Sequence, residues 1–385
     1  MKNSYVLLGN FLAPVKNGEV LNTLKKAITE ESINWESLVL QANTQMCTPL
    51  LFARLKQDDL LQYLPENLQE YLRVIYDSNL MRNEALKTGL EQLLQMFADE
   101  NIDSILLKGA ATFVDELYTA PGSRYMGDLD ILIPEEKISL ARQFLITSGF
   151  DEIHDPYMEF SGQPTDVRHH QIQRYLKPGT PVAIELHFKL AYGQAGRVVE
   201  TEAAWDNTEN VVFRGIKTKV LSPTYRVLHN AIHGLLPHCE YIKGEVSLLQ
   251  LAEFSALAAR YGEEIDGLVP KALCAQQNLS KELRVYTGLA RELMFLEATD
   301  LGSEEIPKWH LDRIVSVGAS GAQFDNMDKS FSLKLRLFTY KIYYFLKLPS
   351  WFWRNVSYAD GEGVFWSRIR LLLARLFSFR SWKKI

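Results

Sequence analysis

The hydrophobic period of this chain changes twice, and those changes bound what it can fold into. Before residue 102 the apolar residues recur at helical spacing: Trp35, Leu38, Val39 and Ala42, then Leu50, Leu51, Ala53 and Leu55 after Pro49. The longest such pattern joins Leu68, Leu72, Ile75, Leu80, Leu86, Leu90, Leu94 and Phe97 on one broad face and predicts a long amphipathic helix. From Ile102 to residue 221, short apolar runs closed by turn residues take over, a pattern suited to buried strands. Helical spacing returns at Ser222, where SPTYRVLHNAIHGLL opens with serine and proline in capping positions, and it continues through 245–261, 264–277 and 279–296. The expected fold is α+β, with a small mixed sheet between helical regions. With 385 residues, 47% of them hydrophobic, the chain can bury two or three units. The divisions expected are a helical region (1–100), a catalytic core (101–221), a helical domain (222–314) and a basic tail (331–385).

Within the middle region, SILLKG reads as a strand, ATFVDELYTA as a two-turn helix, PGSR as a turn and DLDILI as a second strand. Pro134 with Glu135 and Glu136 suits a helix start, and that helix is expected to reach Ser148 and stop at Gly149. Residues 168–177 and 181–190 resemble two strands around KPGT, and 210–221 a short hairpin. The stretch 315–330, VSVGASGAQFDNMDKS, is the expected flexible connection.

The stretch MGDLDILI sets Asp128 and Asp130 two residues apart, so in a strand both project from one side while Leu129, Ile131 and Ile133 face the other. Two carboxylates in one small space repel unless one takes a proton or a cation joins them. Mg2+ (or Mn2+) would answer this, binding one or two carboxylates and keeping its remaining positions for water and phosphate. An exposed edge strand with solvated acids is the alternative. In VAIELHFKL the apolar set Val182, Ile184, Leu186, Phe188 and Leu190 alternates with Ala183, Glu185, His187 and Lys189, which brings a third acid and an imidazole to one face. A solvated outer face remains open there too. LLKG ends a strand at Gly109, where the missing side chain admits close approach of a ligand, with Lys108 beside it; there is no full phosphate-binding loop motif.

Taken together, ILLKGA, ELY, SRYMGDLDILI, RHH before a turn and AIELHF resemble the uncharacterised bacterial nucleotidyltransferases of the DNA polymerase β-like superfamily, from Trp35 to about residue 260. The resemblance implies that Asp128 and Asp130 are paired metal ligands and Glu185 the third catalytic carboxylate. It assigns Lys108, Gly109 and Arg124 to the triphosphate, and His170 and His187 to orienting the acceptor or donating a proton. Where the superfamily usually has Gly-Gly or Gly-Ser, this chain has Lys108-Gly109, with Asp128 nineteen positions beyond Gly109. The implied reaction transfers a nucleoside monophosphate group from a nucleoside triphosphate, ATP being the expected donor, to an unidentified hydroxyl acceptor by a two-metal mechanism. A non-catalytic nucleotide-binding or scaffold protein of the same fold is the alternative from a different class. A DxD glycosyltransferase is the other, and the helical first hundred residues stand against it. His229 and His233 are four apart on a helix but lack the surrounding HExxH pattern, so they read as core or helix-surface residues; His238 and Cys239 read as loop residues.

Net charge is −5 and the pI about 6.0, which gives no reason to expect long nucleic acid as a partner. The charge is unevenly spread, because residues 331–385 carry 11 Lys and Arg against Asp360 and Glu362 and so leave −14 for the rest. Fifteen aromatic residues lie in the same segment, which suits either packing on the acidic body or peripheral contact with an anionic membrane. Three dispersed cysteines, Cys47, Cys239 and Cys274, argue against a disulfide framework and for a reducing compartment. The N-terminal stretch makes a poor signal peptide, and no run of apolar residues is long enough to span a bilayer. The expected location is the cytoplasm.

Overall fold

A computed structural model of the protein describes residues 3–153, 170–236, 240–297, 301 and 306–321, all within the unit Met1–Asp325. The expectations for the tail 331–385, and for His238 and Cys239, lie outside the described residues.

The chain begins with helices α1 (Ser4–Leu12), α2 (Gly18–Thr29), α3 (Trp35–Thr44) and α4 (Thr48–Gln57), followed by the long α5 (Glu66–Asp99). Asn17 and Asn34 start α2 and α3 by accepting hydrogen bonds from the backbone N–H groups of Val20 and Ser37. At about 1.5 Å per residue, α5 is about 50 Å long. It therefore serves two cores. Leu72 joins the helical body, while Leu86, Leu90, Leu93, Leu94 and Phe97 pack on the sheet.

The middle of the chain alternates: β1 (Ile105–Leu106), α6 (Lys108–Ala111), β2 (Leu129–Leu132), α7 (Ile138–Thr147), β3 (Asp151–Ile153), β4 (Arg174–Leu176), β5 (Ala183–His187), α8 (Gly193–Val198), α9 (Thr201–Asp206), β6 (Thr208–Phe213) and β7 (Ile216–Leu221). The sheet order is β3-β4-β5-β2-β1-β7-β6, with β2 parallel to β5, β1 parallel to β7 and the other pairs antiparallel. A short 3-10 turn, Glu135–Lys137, leads from Pro134 into α7, and Gly149, at φ +82°, ends that helix in a conformation side chains disfavour. Helices α10 (Pro223–Leu235), α11 (Glu240–Lys243), α12 (Leu248–Tyr261), α13 (Leu268–Gln276), α14 (Ser280–Met294) and α15 (Lys308–Gly321) complete the described residues. None of the helices there is long and apolar enough to cross a membrane.

Two expectations change. ATFVDELYTA does not form a two-turn helix. The single turn α6 starts earlier, at Lys108, and ends at Ala111, because Asp115 turns to cap the backbone N–H of Leu117 and to pair with Arg226. Of the expected connection 315–330, residues 315–321 continue α15, their Gly and Ser content outweighed by burial of Ile314 against the helical body, and 322–330 lie outside the described residues. Strand β3 was not legible, since its three residues are half or fully exposed.

Alternation along the strands gives the sheet two different faces. Leu106, Leu129, Ile131, Ile133, Ile184, Leu186 and Val220 point into the core under α5 and α7. Ile105, Leu107, Leu132 and Leu221 belong to the core shared with the helical body, and this second face is where the polar residues of β2 and β5 lie.

Candidate active site

The parallel pairing of β2 with β5 sets Asp130 directly beside Glu185 and Leu132 beside His187. The third acid thus stands next to the aspartate pair on the adjacent strand, on the same face of the sheet. Asp130 is 4% exposed, and its Oδ1 is the point on which two donors converge: Lys108 Nζ at 2.7 Å and His187 Nε2 at 3.0 Å. Lys108 reaches it from the turn between β1 and α6 with φ at +46°. A left-handed non-glycine residue costs about 1 kcal/mol or more, so the neighbouring packing must hold this turn in place. Part of that packing is at Gly109, where a Cβ would lie 2.6 Å from the Cγ and Sδ atoms of the buried Met126.

Asp128 precedes β2 and lies 3.6 Å from the Arg174 guanidinium, which also donates to the Gly127 carbonyl at 2.8 Å. The loop that delivers Asp128 is fastened from behind by α5. Asn79 Nδ2 donates to the carbonyls of Gly122 (2.7 Å) and Arg124 (3.1 Å), and Asn83 Nδ2 to those of Pro121 (2.8 Å) and Arg124 (3.0 Å). Arg82 donates to the carbonyls of Met126 (2.9 Å) and Gly127 (3.3 Å). Glu185 Oε2 accepts from Gln171 Nε2 at 2.9 Å.

The charges in this cluster are unequal. Burial works to raise the Asp130 carboxyl, but the Lys108 charge and the hydrogen bonds from His187 and Lys108 hold it well below the usual carboxylate range. Burial and the repulsion of Asp130 and Asp128 push Glu185 up to about 7. Burial and Asp130 also raise Asp128, against the opposing charges of Arg174 and Lys108. Asp130 is therefore the fixed anion, and the other two acids hold protons more readily. Lys108 remains charged: burial opposes its ammonium, but Asp130 outweighs that.

Two cavities adjoin the cluster. One of about 250 Å3 is lined by Lys108, Glu185, His170, Tyr192, His229 and His233, among others, with the His170 and Tyr192 rings stacked at 5.1 Å. His170 also lies edge-on to His187, the ring centres 4.9 Å apart. The other cavity, about 40 Å3, lies beyond Lys108 and is bordered by Arg124, Arg226, His229 and Glu253. Arg124 is not isolated there. Its Nε donates to Glu253 Oε2 at 2.7 Å, and this pair keeps the guanidinium charged despite burial.

The structure thus brings Lys108, Asp128, Asp130, Glu185, His170 and His187 together, seats Gly109 against Met126, and places Arg124 at the edge of the second cavity in an ion pair with α12. His229 is buried and His233 half-buried on α10, as expected of core or helix-surface residues, and both also border the two cavities. Burial drives His229 down to about 3 and His170 to about 2, so both are neutral. The i, i+4 spacing of His229 and His233 on one helix was the signal available for them. Gln171, Arg174, Tyr192 and the asparagines of α5 left no comparable signal.

Residues 31–295 match the family described as "Uncharacterised nucleotidyltransferase". The chain belongs to this family. No curated protein matches it. Among solved structures it is similar to an antigenic nucleotidyltransferase-like protein from Paracoccidioides brasiliensis, at 18% identity and a TM-score of 0.35 over 56% of this chain and 94% of that one. In this member of the nucleotidyltransferase family the buried group could hold a metal ion. Ligand atoms of Asp130, Glu185 and His187 all lie within 4.8 Å of one another, and two carboxylates with an imidazole form a donor set suited to a divalent cation. The Lys108 ammonium marks where this cluster already stabilises positive charge.

Proposed function

We propose that the protein transfers a nucleoside monophosphate group from a nucleoside triphosphate to a hydroxyl acceptor, with Asp128, Asp130 and Glu185 holding divalent metal. The observation that carries this reading is the registration of Asp130 against Glu185, with Lys108 on the same carboxylate oxygen, in a chain of the nucleotidyltransferase family. A bound divalent cation would supply Lewis acidity at the α-phosphate and stabilise the entering and leaving oxygens, in the two-metal form of this chemistry. Asp130, kept ionised, is the principal anchor for such a cation. Lys108 would exchange Asp130 for the triphosphate, while Gly109 makes room for Met126 behind the turn that carries Lys108. Glu185 borders the larger cavity, where the acceptor hydroxyl would lie, and is placed to take its proton. Neutral His170, stacked on Tyr192, orients the acceptor by hydrogen bonding. Arg124 and Arg226 border the smaller cavity in ion pairs with Glu253 and Asp115, and Arg124 would support the triphosphate end of the site through its remaining guanidinium donors.

ATP is the first donor to test, and Mg2+ or Mn2+ the first cations. A cytoplasmic location and the divisions near residues 100, 221 and 314 belong to the same reading. Incubation with each nucleoside triphosphate labelled at the α-phosphate, with cell extract as the acceptor source, should give divalent-dependent labelling that Asp130→Asn abolishes. Equal labelling by that variant, shown to be folded, would refute the assignment. A second reading, nucleotide binding without transfer, draws on the Lys108–Asp130 ion pair, which satisfies the key carboxylate without a metal. Metal-dependent nucleotide binding with no pyrophosphate release across acceptor fractions would favour it.

A further inference from the structure

His187 is the residue of this cluster for which an acceptor-orienting role fits the geometry least. It is fully buried, and its Nε2 faces the Asp130 carboxylate, not the open cavity. We propose that His187 is itself a metal ligand through Nε2, and that the site consequently favours a divalent transition ion over Mg2+. This rests on the reading that Asp130 and Glu185 hold metal.

Three observations carry it. The first is the separation of Nε2 from Asp130 Oδ1, 3.0 Å. Two ligand atoms each about 2.1 Å from one ion and at right angles to each other lie about 3.0 Å apart, so the pair already has the spacing of adjacent ligands on an octahedral ion. The second is that a carboxylate oxygen of Glu185 completes a group whose members all lie within 4.8 Å, which makes a compact set of two oxygens and one nitrogen. The third is that Lys108 Nζ lies 2.7 Å from the same Oδ1, so a cation is already stabilised at the oxygen that the imidazole faces. As metal binds, the ammonium leaves that position and becomes available to phosphate.

The choice of ion follows from the nitrogen. Mg2+ takes oxygen ligands and sheds water reluctantly, whereas imidazole strengthens binding of later first-row ions relative to it. An all-carboxylate site of Asp128, Asp130 and Glu185 would lack the nitrogen that widens this preference. The competing account keeps His187 outside the metal, orienting Asp130 by its hydrogen bond. Loss of an orienting residue itself costs about 10–100-fold in metal affinity, so affinity alone does not separate the two accounts.

Pulsed electron paramagnetic resonance of the full-length protein loaded with Mn2+ alone does separate them, because it detects a nitrogen bonded to the ion. The expected result is a directly coordinated nitrogen signal that persists in His170→Gln and His229→Gln and disappears in His187→Gln. In competition, the excess of Mg2+ needed to displace half of the Mn2+ should be larger for the wild type than for His187→Gln. A site that binds Mn2+, loses it in Asp130→Asn and shows no coordinated nitrogen would overturn the proposal while leaving the carboxylate site intact. So would a nitrogen signal that survives His187→Gln. Mn2+ binding unaffected by Asp130→Asn, or no binding at all, would overturn the metal site and this proposal with it.

Discussion

Two asparagines of α5 share the Arg124 carbonyl in the loop that carries Asp128, and that sharing can be measured. Asn79 and Asn83 both donate to the Arg124 carbonyl, while Asn79 alone donates to Gly122 and Asn83 alone to Pro121. In Asn83→Ala the Pro121 carbonyl loses its donor and the Arg124 carbonyl keeps Asn79. In Asn79→Ala the Gly122 carbonyl loses its donor and the Arg124 carbonyl keeps Asn83. A buried polar group left unpaired costs about 1–3 kcal/mol; Gly122 is buried whereas Pro121 is exposed and its carbonyl can be hydrated, so Asn79→Ala should lose about 2 kcal/mol of stability and Asn83→Ala less. The double variant strands all three carbonyls and should lose about 1–2 kcal/mol more than the sum of the singles. Both asparagines are buried, so the small voids left by truncation enter each single variant and cancel in the cycle. Urea unfolding of the wild type and three variants gives the coupling. Additivity to within about 0.5 kcal/mol would show that the Arg124 carbonyl is not held jointly, and the account of how α5 positions Asp128 would fail.

Replacing Glu253 by Gln should strand the buried Arg124 guanidinium and cost about 3–5 kcal/mol by chemical denaturation, much of it regained when Arg124→Met is added. Gly109→Ala should cost about 1–3 kcal/mol because its methyl enters the space of Met126; in a Met126→Ala background the same change should cost under about 0.5 kcal/mol in the same assay. His229 ionises near 6.5 when unfolded but is driven to about 3 when folded. The unfolded chain therefore binds the proton and the native chain does not: stability is complete above pH 6.5 and declines as the pH falls toward 3. At pH 5 this residue alone withdraws about 2 kcal/mol, and His229→Gln should flatten the decline in unfolding free energy between pH 7 and pH 5 by that amount.

What could be read from the sequence is what local geometry dictates. The apolar positions of α5 and the alternation in DLDILI and AIELHF follow from the repeats of helix and strand, which need no knowledge of the partner element. The facing of Asp130, Glu185 and His187 was legible for the same reason, although their direct adjacency required the parallel register of β2 with β5. Partners far apart in the chain were not legible. Arg124 meets Glu253 across 129 residues and Asn83 meets Pro121 across 38, and nothing in the residues between them encodes either contact. The single-turn α6 shows the opposite failure. ATFVDELYTA has good helical composition, but Asp115 is drawn into its ion pair with Arg226 on α10, a tertiary contact that overrides local preference.

The central claim is that Asp130 anchors a divalent metal that brings a nucleotide to this face of the sheet. Calorimetric titration of the full-length protein with a nonhydrolysable triphosphate analogue, with Mn2+ and then with chelator, tests it most directly. The account predicts binding that requires the metal and is lost in Asp130→Asn while the variant stays folded. Binding of equal strength in chelator, or in that variant with metal present, would contradict it.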